Sequence, residues 1–531
     1  MKKVLLFSVI LIVLILSFKL SKNDDFKVSE DYFDTIRKMT IHAVPEEMLA
    51  DKSDSIKSIY NAFGNHEIWV DAENREDLIV QIEKSKYEGL NPQDYNINKI
   101  YQLELKLDSL SLEEKLAYDV LLTQTYDKLC SNYYRGKLNP DEVYKNWDLF
   151  DKPFTMATHL KVAISSKKVA PSIKNLLPNH PIYTSLKAAL VLIDKMPESN
   201  FDSINKSIKL KYKDTQKEVN EIKKRLVYWK DLDKKNTNYS INYDSSMLDA
   251  VKKFQARHGL HPDGVIGFGT IKALNYNVET RRSQILANLE RWRWFSRDFG
   301  EQYLLINLPE YKLDFIQKNT TTASHKIVCG KPKRMTPILQ SKLSNFVFNP
   351  TWTVPPTIIK EDLSVEAAAN KSYFIRNRIL IYNGKNNIVS PSNWNSAKAT
   401  SYRYVQNHGY NNSLGVVKFN FPNRHSVYLH DTNHRDYFQL SYRALSSGCV
   451  RVQNPVDLAK KILKNQDNGR WTTGNEIDLI IKKNKEPYYI KVKEPIYIHQ
   501  LYWTSWLSDS GFQFRDDMYN LDKMLYDKLR N

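Results

Sequence analysis

From about Phe26 to Leu210, apolar residues return every three to four positions, as in Leu78-Ile79-Ile82 and Leu116-Val120-Leu121. That period gathers them on one helix face. Turns interrupt the run: Gly89 can close a helix, Asn91-Pro92 bars its continuation, and Gly136 to Pro140 makes a second break. The pattern predicts a helical scaffold over 26–213. In the next block Val219, Ile222 and Leu226 share one predicted helix face, and Met247, Val251 and Phe254 another. A turn at Pro262-Asp263-Gly264-Val265-Ile266-Gly267 leads into a third helix at 269–275, giving a small three-helix unit over 214–280. After Arg291-Trp292-Arg293-Trp294 the period shortens to two. Tyr303–Leu308, Lys312–Ile316, His325–Cys329, Asn345–Asn349 and Ser426–His430 read as strands of a mainly β domain over 300–485. A helical, Asn- and Ser-rich stretch at 358–408 interrupts this domain, with a length that suits a cap over a site. The tail, 486–531, reads as a helical, aromatic segment docking on an earlier domain. The predicted class is multidomain α+β.

Composition adds a compartment and a partner. Of 531 residues, 42% are hydrophobic and 12% aromatic, a composition of packed domains rather than disorder. A net charge of +18 suits a polyanionic neighbour: nucleic acid, anionic lipid or acidic wall polymer. The chain has no arginine-rich helix, RNP-like motif or zinc-finger spacing, which argues against nucleic acid. Met1-Lys2-Lys3 precedes an apolar run from Val4 to Phe18, the pattern of export. No small-x-small cleavage site follows, so residues 1–25 are expected to stay as a membrane anchor or uncleaved signal. The body then lies outside the cytoplasm, on the periplasmic side of the inner membrane.

Three cysteines, Cys130, Cys329 and Cys449, make no disulfide framework. Cys130 and Cys329 sit in apolar runs and read as core residues. Cys449 stands in the turn Ser446-Ser447-Gly448-Cys449-Val450-Arg451, shortly after His430-Asp431-Thr432. A thiol is a nucleophile as its thiolate, and an imidazole is the usual means of making one. A Gly-containing turn also aims backbone N–H groups at one point, where an oxyanion can form. Cysteine acyl transfer with Cys449 as nucleophile and His430 as base is therefore the leading reading. Alternatives stay open at this level. Arg451 can be a clamp on backbone carbonyls as well as a substrate ligand, and Ser447 can simply cap the turn. His430, His434 and Cys449 have the atom types of a zinc site, although a strand end gives them no convergent helix face.

These two segments together resemble the catalytic motif of the L,D-transpeptidases, with their YkuD-type domain. The resemblance is to the large subfamily with a helical scaffold, a peptidoglycan-binding domain and a capping insertion. Phe254-Gln255-x-x-His258-Gly259-Leu260-x-x-Asp263-Gly264 resembles the peptidoglycan-binding domain. Further matching segments are Asn288–Trp294, Gly330-Lys331-Pro332, Thr336-Pro337, Asn349–Pro356, Leu414–Phe419 and Phe514–Tyr519. Two departures stand out: Ser447 replaces a frequent histidine before Gly-Cys, and His408-Gly409 replaces a Pro-Gly. The resemblance implies wall biogenesis and a role in cell shape, with peptidoglycan stems and glycan as partners and no cofactor or metal. It implies 3→3 cross-linking through a Cys449 thioester with release of D-Ala. By the same resemblance His430 is general base and acid, Gly448 and Ser447 form the oxyanion turn, and Arg451 contacts substrate. L,D-carboxypeptidase action, or peptidoglycan binding without catalysis, are the alternatives. A carbonyl or carboxylate is expected to orient His430.

Overall fold

The computed structural model describes residues 41–150, 152–464, 466, 469–471, 473–483 and 486–530. The predicted anchor at 1–25 lies outside them. Among the described residues no helix is long and apolar enough to cross a membrane.

The chain divides into two compact units. The first takes in 41–86, Leu90–Tyr133 and Pro153–Leu177 and is helical. Its longest helix begins at Leu112 on a capping box, in which the Ser111 N–H donates to Glu114 (2.8 Å) and the Glu114 N–H donates to the Ser111 hydroxyl (3.3 Å). Leu122, Leu129 and Cys130 on this helix are sealed in the core with Leu78, Ile82 and Leu160. Asp119, also buried, fastens this helix to the helix Asp54–Ala62 by accepting from the Tyr60 hydroxyl (2.6 Å), and to the loop after it by accepting from the amides of Ile68 (2.8 Å) and Trp69 (2.7 Å). Burial holds the Cys130 thiol far above its usual pKa, which makes it inert.

The second unit opens its large domains with the predicted three-helix block: α1 (Glu218–Tyr228), α2 (Ser245–Arg257) and α3 (Phe268–Leu274). The Asp244 side chain caps α2 through the Met247 amide (2.9 Å). Most of the recognised motif holds the turn between α2 and α3. Gln255 donates to Asp263 and to the Val265 carbonyl (both 3.0 Å) and accepts from the Gly264 amide (2.9 Å). Gly264 has φ +76°, a conformation that favours glycine. The following helix α4 (Val278–Trp294) is buried almost all round, and two of its arginines are ion-paired inside the protein: Arg291 with Asp522 (2.9 Å) and Arg293 with Glu290 (2.6 Å).

Among the described residues the main sheet has twelve strands. In chain order they are β1 (Trp147–Asp148), β2 (Gln302–Asn307), β3 (Lys312–Gln317), β4 (Thr320–Gly330), β5 (Ile338–Lys342), β6 (Asn345–Phe348), β7 (Val417–Asn420), β8 (Leu429–His430), β9 (Ala444–Ser446), β10 (Val450–Val452), β11 (Tyr488–Lys491) and β12 (Tyr497–Leu501). The spatial order is β1-β5-β12-β2-β3-β4-β10-β8-β7-β6-β11, with β9 beside β4. The tail departs from the helical expectation. β12 runs parallel to β2 and antiparallel to β5 inside the sheet, and a hairpin at Ser505–Ser508 and Gly511–Phe514 follows. Among the described residues of the tail, Leu521–Arg530 alone is helical.

The insertion also differs from a simple helical lid. It forms its own four-stranded sheet from Trp352–Thr353, Ile379–Tyr382, Ile388–Val389 and Arg403–Gln406. Leu363, Phe374, Ile381, Trp394 and Tyr404 make a separate core, with the Trp394 indole donating to the Tyr404 hydroxyl (2.7 Å). The first of these strands precedes Pro355-Pro356, earlier than the helical pattern begins.

Candidate active site

β8 lies between β7 and β10, and register decides which side chains share a face. His430 pairs with Lys418 of β7 on one side and Arg451 of β10 on the other. Directly opposed residues of neighbouring strands project to the same side, so two cations flank the imidazole. The Val450 amide bonds the Tyr428 carbonyl (3.2 Å), which sets Cys449 beside Tyr428, two positions before His430. The predicted base, on β8, and the predicted nucleophile, in the turn that enters β10, are thus brought side by side.

His430 is buried, and its Nδ1–H donates to the main-chain carbonyl of Asp431. A carbonyl accepts only, so the proton sits on Nδ1 and the neutral ring carries its lone pair on Nε2. The orienting group foreseen in the sequence is this backbone carbonyl. The Asp431 carboxylate faces elsewhere: it accepts from the Val416 amide (2.9 Å) and pairs with Arg435 (2.6 Å). A Cβ on Gly415 would lie 2.1 Å from that carboxylate, which accounts for the glycine in the Leu414–Phe419 segment. Burial, with Arg451 and Lys418 adding repulsion, pushes the His430 pKa down to about 3.

Cys449 is half-buried, whereas Cys130 and Cys329 are fully enclosed. Burial raises its thiol pKa, opposed by hydrogen bonds from the Tyr428 amide and hydroxyl and by the charges of Lys418 and Arg451. Among the described residues the sulfur's partner is Tyr428 and no His430–Cys449 hydrogen bond is formed. At neutral pH the resting pair is therefore a thiol and a neutral imidazole. Cys329 is more strongly affected, pushed up to about 12 by its burial.

The turn around the thiol is braced from one side. Gly448 has φ +116°, a region that favours glycine. Its N–H donates to the Ser446 hydroxyl (3.1 Å), which in turn donates to the Cys449 carbonyl (2.6 Å). The Gly448 amide is therefore occupied, whereas among the described residues the amides of Ser447 and Cys449 donate no hydrogen bond within the turn. Thr336 donates to the Gly448 carbonyl (2.8 Å), the Lys331 amide donates to the Ser446 carbonyl (2.9 Å), and Tyr519 donates to the Gly330 carbonyl (2.6 Å). These contacts explain the Gly330-Lys331-Pro332, Thr336-Pro337 and Phe514–Tyr519 segments as a cradle for the turn.

Ser447 is exposed and accepts from Arg334 (2.8 Å), whose guanidinium also pairs with Asp362 (2.6 Å) and Glu361 of the insertion. A second link runs through Trp352 of the insertion, whose side chain opposes the rise that burial gives the Tyr428 hydroxyl pKa. Arg451 lies 5.9 Å from the Tyr437 ring, and its Nε and Nη1 are buried without partners. It clamps no carbonyl with those atoms. His434 stacks on Tyr437 with ring centroids 4.9 Å apart. Arg334, Lys418 and Tyr428 are site residues that motif spacing did not reveal. The period-two pattern around Tyr428 and Lys418 was the available signal for those two.

Residues 301–498 match the model of the L,D-transpeptidase catalytic domain. The chain carries an L,D-transpeptidase catalytic domain. Residues 215–274 match the "Putative peptidoglycan binding domain" and residues 54–190 the "Scaffold domain". A curated relative from Haemophilus influenzae, named "Putative L,D-transpeptidase", is 32% identical over 290 residues, covering 53% of this chain and 56% of its own. The chain thus spans about half the length of that relative. Among solved structures, an L,D-transpeptidase from Mycobacterium smegmatis aligns at 12% identity and TM-score 0.19, over 38% of this chain and 58% of its own. An L,D-transpeptidase from Xylanimonas cellulosilytica aligns at 15% identity and TM-score 0.17, over 55% and 97%. Scores that low carry no argument here.

Proposed function

We propose that the L,D-transpeptidase domain forms 3→3 peptidoglycan cross-links through a thioester on Cys449, in the cell envelope. One observation carries the reading. A half-buried thiol in the turn entering β10 and a β8 imidazole with its Nδ1 proton tied to a carbonyl lie close together, with Lys418 and Arg451 flanking the imidazole. As the thiol attacks the carbonyl of the third stem residue, its proton passes to His430 Nε2. The tetrahedral oxyanion takes the Cys449 amide and the field of the two cations. His430 returns the proton to the departing D-Ala amine as the C–N bond breaks, leaving a thioester. A side-chain amine of a neighbouring stem then attacks, the C–S bond breaks, and the thiol is restored. Arg451, with two unpartnered nitrogens, suits a donor-stem carboxylate. The insertion, tied to the turn through Arg334 and Trp352, serves as the cap that excludes water and holds the acceptor.

Water in place of the amine gives the L,D-carboxypeptidase reaction on the same stems. Incubating the chain with disaccharide-tetrapeptide and separating the products tests the proposal. The expected products are free D-Ala and a 3→3 dimer. Release of D-Ala with tripeptide alone would assign hydrolysis instead, and no release would refute the catalytic reading.

A further inference from the structure

β8 ends at His430, and the Asp431 carbonyl that takes the imidazole's Nδ1 proton lies just beyond the strand. The direction of that carbonyl depends on how the Asp431 residue is held. Its N–H donates to the Val417 carbonyl (2.9 Å), and its carboxylate accepts from the Val416 amide (2.9 Å) and from Arg435 Nη2 (2.6 Å). Arg435 is aimed in turn. Its guanidinium carbon lies 3.7 Å from the centroid of the Tyr410 ring, and its Nη1 donates to the Tyr410 carbonyl (3.2 Å). Tyr410 belongs to the stretch by which the insertion returns to β7.

Stability alone does not account for this pair. The Asp431 side chain is 4% exposed but that of Arg435 is 29%, and Arg435 borders a cavity of about 290 Å³ together with Tyr410, Phe438 and Gln453. Partly solvated ion pairs contribute little to folding. The pair does set a direction. Which ring nitrogen of a histidine carries the proton depends on the hydrogen bond made by the other. Among the described residues the side-chain hydrogen bonds of Arg435 go to Asp431 and Tyr410, not to His430 or Cys449.

We propose that Arg435 is a positioning residue for the catalytic pair: by pinning the Asp431 carboxylate it aims the Asp431 carbonyl at Nδ1 and keeps the His430 lone pair on Nε2. This rests on the reading of His430 as the base for Cys449.

The full chain carrying Arg435→Ala, Arg435→Lys or Asp431→Asn is compared with the unaltered chain in two ways. Intact mass follows acylation by a carbapenem, and nitrogen NMR of histidine-labelled protein reads the His430 tautomer, its signals identified by their loss in His430→Gln. Arg435→Ala is expected to lower the limiting acylation rate about ten- to a hundredfold, the loss a small misplacement of a reacting group causes, while the half-saturating concentration changes less than about twofold. Its Nδ1–H signal should give way to a mixture of tautomers. Arg435→Lys keeps a cation beside Asp431 and should recover most of the rate and the single tautomer. Asp431→Asn keeps the shape but not the charge, and should lose part of both. Thermal melts confirm folded protein, and Asp431→Asn decides the matter if Arg435→Ala does not fold. A wild-type rate in the folded variants, a slowed rate with an unchanged tautomer, or a loss confined to the half-saturating concentration would overturn the proposal. The base itself is read separately. His430→Gln acylating at the wild-type rate faults the catalytic reading, whereas slowed acylation in His430→Gln beside a wild-type rate in Arg435→Ala faults the role of Arg435 alone.

Discussion

Cys449→Ala is expected to abolish both acylation by a carbapenem and cross-linking of stems, with the fold intact. The thiol is half-buried and its hydrogen bonds come from Tyr428. Removing one sulfur there should alter stability by only about 1 kcal/mol. The turn itself is held by Ser446, Thr336 and Lys331 rather than by the thiol. Cys130→Ala and Cys329→Ala make the control pair. Both thiols are buried and their pKa values lie well above the usual range. They should keep full activity at a stability loss of about 1 kcal/mol or more from the cavity left behind. Intact-mass measurement of adducts and a thermal melt read the two effects apart. Residual acylation in Cys449→Ala would mean that another group is the nucleophile.

The second large effect concerns pH. With the His430 pKa near 3 and the Cys449 pKa above its usual value, the thiol and neutral imidazole persist across the range between. The reactive form in general-base attack is this neutral pair, so acylation should be flat from about pH 5 to 8. It should show no break near 6.5, where an unshifted histidine titrates. In His430→Gln, attack requires a free thiolate. Acylation at neutral pH should then fall roughly 10²–10⁴-fold and climb about tenfold per pH unit toward the thiol pKa, where the two proteins converge. An equal loss at every pH would give His430 a purely structural role. A wild-type break near 6.5 would show an imidazole less buried than the one described.

The parts of this site legible in the sequence were the local ones. The Gly448-Cys449 turn and the His430 strand end are each short motifs, and the α2–α3 block advertises itself through Gln255, Asp263 and Gly264, which hold one turn. What the sequence hid was long-range. Lys418 reaches His430 only through pairing of β7 with β8. Arg334, more than a hundred positions before Ser447, meets it across a loop. The tail reads as helical in sequence because β12 is five residues long and enters the sheet between β5 and β2, far away in sequence. A strand that short carries little periodicity of its own. The insertion's core was hidden for the same reason: Phe374, Trp394 and Tyr404 come together from separate short elements. Likewise, the occupied Gly448 amide depends on the Ser446 rotamer, which no motif encodes.

The central claim is a thioester on one particular cysteine. Mixing the full chain with a disaccharide-tetrapeptide, quenching in acid within the first turnovers, and measuring intact mass followed by peptide mapping tests it most directly. The account predicts one disaccharide-tripeptide per chain, attached to the peptide containing Cys449, with one equivalent of D-Ala released. Attachment at another residue, or D-Ala release in a chain that never carries the fragment, would contradict it.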